Sequence, residues 1–593
     1  MKLGSLASVN KYFLRYKWRI IIGVIFVCGA NYFQILQPQV IRDALNMVVE
    51  YLENSPMSPE DKEELRIALL KFGGLVLGYA LMMGIFMFMM RQTIIVMSRL
   101  IEYDMRKDIY DHYSRLDLGF YRKNKTGDLM ARISEDVSKV RMYVGPSLLY
   151  AVNIVFLFTF VIYSMYSVDA KLATYCLLPL PVLSVSIYFL SNVINKRSTL
   201  IQKQLSSLNS AAQEVYSGIR IVKSYVQEPR VVESFTEESE SFKEKSMGLA
   251  RANALFGPLM LLIIGTSTIL TIYFGGRQVI AGELQAGNIA EFVIYVNMLT
   301  WPVTSIGWIA SLIQQAAVSM RRINEFMDTE PAIKDEGHIE APIQGHVHFD
   351  NVSFVYPDTG IKALDGVSFD IKPGERVAIV GRTGSGKTTV ADLLLRMFDT
   401  KDGQISIDNQ PIEKHKLSYL RERIGYVTQD VFLFSDTIAQ NVSFGMEDHN
   451  QKAVEDMTKY ASVYDDIIDF PNGFETPVGE RGVTLSGGQK QRLSIARALL
   501  KDPDIIILDD CLSAVDTTTE QAILNYLNTA LKGKTAIIIT HRIYESMDFD
   551  KIIVLENGKV KEMGNHQELI ELNGYYAKLL ERQRQFAQTS SPN

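Results

Sequence analysis

With 593 residues the chain is too long for one hydrophobic core, so several domains are expected. A formal net charge of −6 excludes a general nucleic-acid binder, and the scattered Cys28, Cys176 and Cys511 give neither a disulfide framework nor a metal spacing. The average composition, 47% hydrophobic and 22% charged, hides two halves: long uncharged apolar runs up to about Met320, then the pattern of a soluble α/β domain.

Leu6, Val9 and Phe13 recur at helical spacing, and Lys11, Arg15 and Lys17 precede the first apolar run. This predicts a short amphipathic helix on the membrane surface, its basic side toward lipid headgroups. A signal peptide is disfavoured, because no small-residue cleavage site follows. Six spans follow, at 18–40, 67–90, 146–166, 172–194, 256–279 and 290–312. Each is near the roughly 20 residues that a bilayer demands. The acidic 42–66 loop and the short 168–171 and 281–288 loops face outward. Segments 91–141 and 195–251 hold most of the Lys and Arg and face the cytoplasm, which makes both termini cytoplasmic. Their helical periodicity suits two hairpins whose legs reach on the order of 35 Å beyond the membrane. The tips fall near 116–121 and 216–224, where a short helix can press on a soluble domain.

Polar residues inside spans mark the bundle interior. Asn31, Gln34 and Gln37 lie near one face of the first span; Met83, Met87 and Met90 share a face of the second; Asn297, Trp301 and Trp308 mark the sixth. A Met- and aromatic-lined cavity suits varied amphipathic ligands, while helix packing and interfacial anchoring explain the same residues. No Lys or Arg stands mid-span, which disfavours a dedicated clamp on a strongly anionic substrate.

The division expected is a membrane domain over 1–320, a charged linker over 321–343 and a second domain over 344–593. Strand-like runs at 346–356 and 367–371 lead to RVAIV and then GRTGSGKT, 381–388. That is the strand–loop–helix context of a phosphate-binding loop. Gly381, Gly384 and Gly386 let backbone N–H groups turn inward around phosphate, with Thr383, Ser385 and Thr389 in the same cradle. Lys387 reaches the β- and γ-phosphates, and the Thr388 hydroxyl suits Mg2+. Tyr356 can stack on adenine or pack in the core. The Gln429 amide can bind Mg2+ and the attacking water. In LSGGQ, Ser486, Gly487, Gly488 and Gln489 precede the helix KQRLSIARALL and can present its N-terminus to a γ-phosphate. The buried run IIILDD ends in Asp509, placed to hold Mg2+ through water, and Asp510; AIIITH ends in His541, within reach of the γ-phosphate.

This ordered series resembles the ATP-binding-cassette (ABC) exporters over nearly the whole chain. To the motifs above it adds TPVGERG at 476–482 and SAVD at 513–516, with TGDLMARISEDV at 126–137 and EVYSGIRIVKSY at 214–225 in the first half. The resemblance implies a half-transporter of the type IV fold: an α-helical six-span domain followed by an α/β P-loop ATPase domain, in the plasma membrane (the inner membrane of a bacterium). It implies ATP and Mg2+ as cofactors, a second half-transporter as partner, and export of amphipathic small molecules or lipids. Two nucleotide-binding domains then close head to tail over two ATP molecules, each site joining one chain's Walker motifs to the other's signature. An ATP-regulated channel or sensor uses the same motifs; soluble ABC ATPases are excluded by the fused spans.

The family usually places Glu directly after the Walker B Asp, as the base that polarises water; here Asp510 stands there. Its carboxylate is one methylene shorter, an offset of roughly 1 Å, and errors of about that size can cost on the order of 100-fold. The following Cys511-Leu512 departs from the commoner Ala-Thr. An impaired Walker side beside an intact signature resembles one member of a heterodimeric exporter; a tolerated substitution in a homodimer is the other reading.

Overall fold

The computed structural model describes residues 3–53, 58–446, 450–544 and 547–589. Among them six helical stretches are long and apolar enough to cross a membrane: Lys17–Glu53, Pro59–Tyr113, Thr126–Val168, Ala170–Ser217, Glu228–Ile280 and Ala286–Met327. Each contains one of the six expected spans. The chain divides into two compact units, Met1–Tyr113 with Gly127–Thr329, and Ser114–Thr126 with Glu330–Asn593. Residues 114–126, expected within the membrane domain, therefore belong to the second unit. The linker also starts later than expected, because the last long helix runs on to Met327.

In the first unit the helices outrun the bilayer. Lys17–Glu53 has 37 residues, about 55 Å at helical rise, against a hydrocarbon core of about 30 Å. Its interior centres on Leu172, Phe292, Tyr295, Val296 and Leu299, all without solvent exposure. Polar groups there are paired between helices: Asn31 Nδ2 donates to Asn153 Oδ1 (2.8 Å), and Arg42 meets the fully buried Glu291 (3.1 Å). The first and last spans touch closely at Gly287, where any Cβ would run into the Arg42 carbonyl and the Asn46 amide. Among the described residues three π-turns interrupt the helices, at Arg91–Ile95, Arg132–Asp136 and Tyr143–Ser147.

The N-terminal segment corrects one expectation. It forms a 3-10 turn, Leu3–Val9, and a short helix, Asn10–Arg15, and two of its three basic residues, though largely exposed, pair with protein carboxylates. Lys11 pairs with Asp108 (2.8 Å) and Arg15 with Asp104 (2.6 Å). Tyr12 and Tyr16 donate to the same two carboxylates, and Ser5 and Ser8 bond the last long helix. The hairpin expected over 195–251 is formed by Pro179–Ser217 and Glu228–Ala254, with a short helix Ile219–Ser224 between them and Tyr216 and Ile221 exposed there. The other tip is the helix Leu118–Lys123, N-capped by Asp117, which also accepts from the Ala332 amide (2.7 Å).

The second unit is built on two sheets. Strands β1 (Val347–Val355), β2 (Lys362–Ile371), β4 (Asp402–Ile407) and β5 (Gln410–Pro411) form an antiparallel sheet in the order β2-β1-β4-β5. The second sheet has the order β10-β9-β3-β8-β7-β6, from β3 (Arg376–Gly381), β6 (Ile424–Val427), β7 (Ile505–Asp509), β8 (Thr535–Thr540), β9 (Lys551–Glu556) and β10 (Lys559–Gly564). Its inner pairs are parallel, and every residue of β7 and β8 is buried, which explains their uninterrupted apolar sequences. The order sets β3, β8 and β7 side by side. Their C-terminal ends deliver Gly381, His541 and Asp509–Asp510 to one edge, where ligands of open α/β sheets bind.

Gly287→Ala should destabilise the purified protein by about 1–3 kcal/mol, since the added methyl must push two helix backbones apart. An unchanged thermal unfolding temperature in detergent would contradict the close approach.

Candidate functional site

The loop after β3 is shaped by what its glycines must avoid. A Cβ at Gly381 would strike the Leu555 carbonyl and Ser385 Oγ, and one at Gly386 the Ala363 carbonyl. Gly384 has open space around its missing Cβ, so its role is conformational, with φ +80; Gly386 has φ +99. Ser385 is buried, with its Oγ unpartnered and its carbonyl accepting from the Gly558 amide (3.2 Å). Gly381 and Ser385 therefore build the loop from behind and do not line the cavity. The helix Lys387–Leu394 begins directly after Gly386.

A cavity of about 270 Å³ opens in front of this loop. Its walls include Tyr356, Thr383, Gly384, Gly386, Lys387, Thr388, Thr389, Gln429, Asp509, Asp510 and His541, all singled out in the sequence. Lys387 Nζ donates to the carbonyls of Gly381 (2.8 Å) and Arg382 (2.9 Å). Burial lowers its pKa below the ordinary lysine range, while Asp509 and Asp510 pull it back up. Asp509, almost wholly buried, is raised by burial and by Asp510, and lowered by the Thr388 hydroxyl and Lys387. Its Oδ2 has no hydrogen-bond partner. An orphan carboxylate oxygen beside a hydroxyl is the hard-oxygen set that Mg2+ takes alongside phosphate and water.

Asp510 sits one residue past β7 in the left-handed region, φ +47, which Asp tolerates better than most side chains. Its amide donates to the Ile539 carbonyl (2.8 Å), and its Oδ1 lies 2.9 Å from His541 Nδ1. The carboxylate is thus aimed by backbone and imidazole together.

Tyr356 does more than offer a ring. Its hydroxyl meets Thr389 Oγ1 (3.0 Å) and Asp392 (3.3 Å), and its edge packs on Phe354 and Phe398. The Arg122 guanidinium lies 4.2 Å from its ring centroid and pairs with Asp358 (3.0 Å). Sequence reading missed Arg122, Thr359, Ile361 and Ala363 as lining residues. The one available signal was the expected hairpin tip, whose range ended at Tyr121, next to Arg122. Beneath the site, burial pushes Asp392 up to about 6, against the pull of Tyr356 and Arg122.

The signature residues lie outside this cavity. They do not precede their helix, as expected, but form its first turn: Gly487–Leu500 starts with Ser486 as N-cap. Ser486 Oγ accepts from the Gln489 amide (3.2 Å), and Gln489 Oε1 accepts from the Ser486 amide (3.0 Å). Gln489 Nε2 donates to Asp466 (3.1 Å), so Gln489 is committed within its own chain.

The family model described as ABC transporter transmembrane region matches residues 20–303, and the one described as ABC transporter matches 364–513. A relative from Bacillus subtilis, the probable multidrug resistance ABC transporter ATP-binding/permease protein YheI, is 34% identical over 585 residues, covering 98% of each chain. The chain belongs to the ABC transporter family. The multidrug resistance-like ATP-binding protein MdlA of Escherichia coli is 37% identical over 474 residues, 80% of each chain. A solved bacterial Atm1-family ABC exporter with ATP bound is 26% identical, with a TM-score of 0.78, over 95% of this chain and 99% of that one. This ABC transporter is an exporter-type half-transporter, a multi-pass protein of the inner membrane that binds ATP and couples its hydrolysis to transport.

Lys387→Ala should remove most nucleotide photolabelling of the chain, because Lys387 is the principal side-chain cation facing the loop. Retained labelling would show that phosphate is held elsewhere. Asp392 gives a pH signature. Its pKa is raised in the folded chain from 3.8 to about 6, so its stability contribution is full below the unfolded value and is lost as pH rises through the folded one. At neutral pH Asp392→Asn should recover up to about 3 kcal/mol, and near pH 4 almost nothing. Equal gains in unfolding temperature at both pH values would contradict the assignment.

Proposed function

We propose that the chain exports amphipathic small molecules or lipids, as one half of a dimeric exporter whose two ATP sites are unequal. The observation that carries the inequality is Asp510, at the position where the resembling exporters usually have Glu. Two relatives with multidrug resistance in their names support the export of amphipaths. So does a Met- and Trp-lined cavity in the first unit, where Met83, Met87, Met90 and Trp301 share a wall with Gln34. Trp308 packs on Tyr150 (5.5 Å), as Trp301 does (5.2 Å), Asn31 bonds Asn153, and the exposed Asn297 bonds its own helix; Trp308, Asn31 and Asn297 are not among the residues lining that cavity.

In this reading Lys387 and the loop amides hold the β- and γ-phosphates of ATP, with Tyr356 at the adenine end. Thr388, Asp509 and Gln429 would hold Mg2+, which would supply neutralisation of phosphate charge there. His541 fixes the Asp510 carboxylate, and the shortened side chain leaves it a poor base for water. The exposed N-terminus at Ser486, Gly487 and Gly488 completes the partner's site, where a full-length Glu orients water. Both termini are cytoplasmic and the 42–66 segment, where the first helix ends and the second begins, is external.

Steady-state ATPase of the purified two-subunit complex tests the unequal sites. Asp510→Asn should change the rate by less than about twofold, Asp510→Glu should raise it, and Ser486→Arg should reduce it at least about tenfold. Near-complete loss with Asp510→Asn would favour a homodimer that works with aspartate. For the topology, Ser58→Cys in a background without native cysteines should react with an impermeant thiol reagent on intact cells. Labelling only after lysis would reverse the orientation.

A further inference from the structure

The cavity beside Met83, Met87 and Met90 has a chemistry that composition did not disclose. It encloses about 760 Å³, the size that takes one amphiphile. The three methionines sit at i, i+4 and i+7 and give it a soft apolar lining, to which Trp301 adds a flat aromatic surface. Directly after Met90 the helix opens into the π-turn Arg91–Ile95. The distortion is supported locally: Thr93 Oγ1 donates to the carbonyls of Met89 (3.0 Å) and Met90 (2.9 Å). A second π-turn, Tyr143–Ser147, brings Pro146 to the same cavity. Such turns are rare and cluster at functional sites, where one added residue re-aims side chains. Here the result is that the neighbours Arg91 and Gln92 both face the cavity.

Arg91 is the single charged residue of that lining. Among the described residues it takes part in no ion pair. Its neighbours along the fold differ: Arg99, Arg106 and Arg141 all converge on Glu102. A larger cavity of this unit, about 930 Å³, also holds charges, but Arg322 and Lys139 there are met by Asp136 (3.0 and 3.8 Å). The Met-lined cavity pairs an apolar lining with an unanswered guanidinium and an amide donor beside it. An isolated cation next to apolar surface is satisfied best by an anion that can accept two parallel N–H bonds.

We propose that this cavity selects a single-headed anionic amphiphile taken from the bilayer, its phosphate-like head on Arg91 and Gln92 and its tail along Met83, Met87, Met90 and Trp301. The inference rests on the reading that the protein exports amphipaths, and it names their charge. It departs from the expectation that the spans carry no anion clamp, because Arg91 lies one residue beyond the second apolar run and the π-turn brings it in.

The test compares lauryl phosphate with lauryl trimethylammonium, at submicellar concentration, on the full complex in proteoliposomes. Binding is read as the quenching by brominated tails that Trp301→Phe removes, and coupling by ATPase stimulation. The phosphate amphiphile should bind at least about tenfold more tightly than the cationic one, the scale of one charge-assisted contact. Arg91→Gln should erase that preference and Arg91→Lys should keep most of it. Equal binding of both heads to the unmodified protein overturns the anion selectivity while leaving amphipath export standing. A preference that survives Arg91→Gln overturns the role of Arg91. If neither amphiphile binds or stimulates, the export reading and this inference fall together.

Discussion

Lys387 is half-buried at the edge of the parallel sheet, and its ammonium is held by the carbonyls of Gly381 and Arg382. Burial disfavours that charge, and Asp509 and Asp510 partly restore it. Such an arrangement suits the receipt of a polyanion, because a half-buried cation beside loop amides gains when phosphate arrives. Much of the second unit serves it. Gly386 lets the helix start directly under the loop, the buried β7 and β8 bring the two aspartates and His541 to the same edge, and Gly381 permits the close approach of β9.

The base position is under a different constraint. Asp510 occupies left-handed backbone, pinned by the Ile539 carbonyl and by His541. The short side chain suits that conformation, yet it reaches less far than Glu. Local backbone preference and catalytic reach therefore pull in opposite directions at one residue. In a symmetric dimer such a conflict would be repeated in both sites; in a pair of different chains it falls on one.

What the sequence disclosed follows the range of the physics involved. The spans were legible because a bilayer imposes a minimum apolar length on each separately. The phosphate loop was legible because its glycines, lysine and threonine act within eight consecutive residues. Arg122 was not, since it comes from a segment more than 230 positions before Tyr356 and meets it only through the fold. The π-turn at Arg91 left no trace, because a change of hydrogen-bond register has no compositional signature. The pairing of Lys11 and Arg15 was hidden for another reason: a headgroup and the carboxylates of Asp104 and Asp108 offer the same charge, and sequence does not say which is nearer.

The central claim is that ATP bound at the Lys387 loop drives uphill movement of an amphiphile, as opposed to opening a path for it. Flux is the direct measure. The purified complex is reconstituted into proteoliposomes with a fluorescent amphiphile equal on both sides, and ATP-Mg is added outside. The account predicts net accumulation inside, above the starting concentration, that collapses when ATP is removed. Faster equilibration without accumulation, from any starting gradient, would contradict it and identify a nucleotide-gated channel.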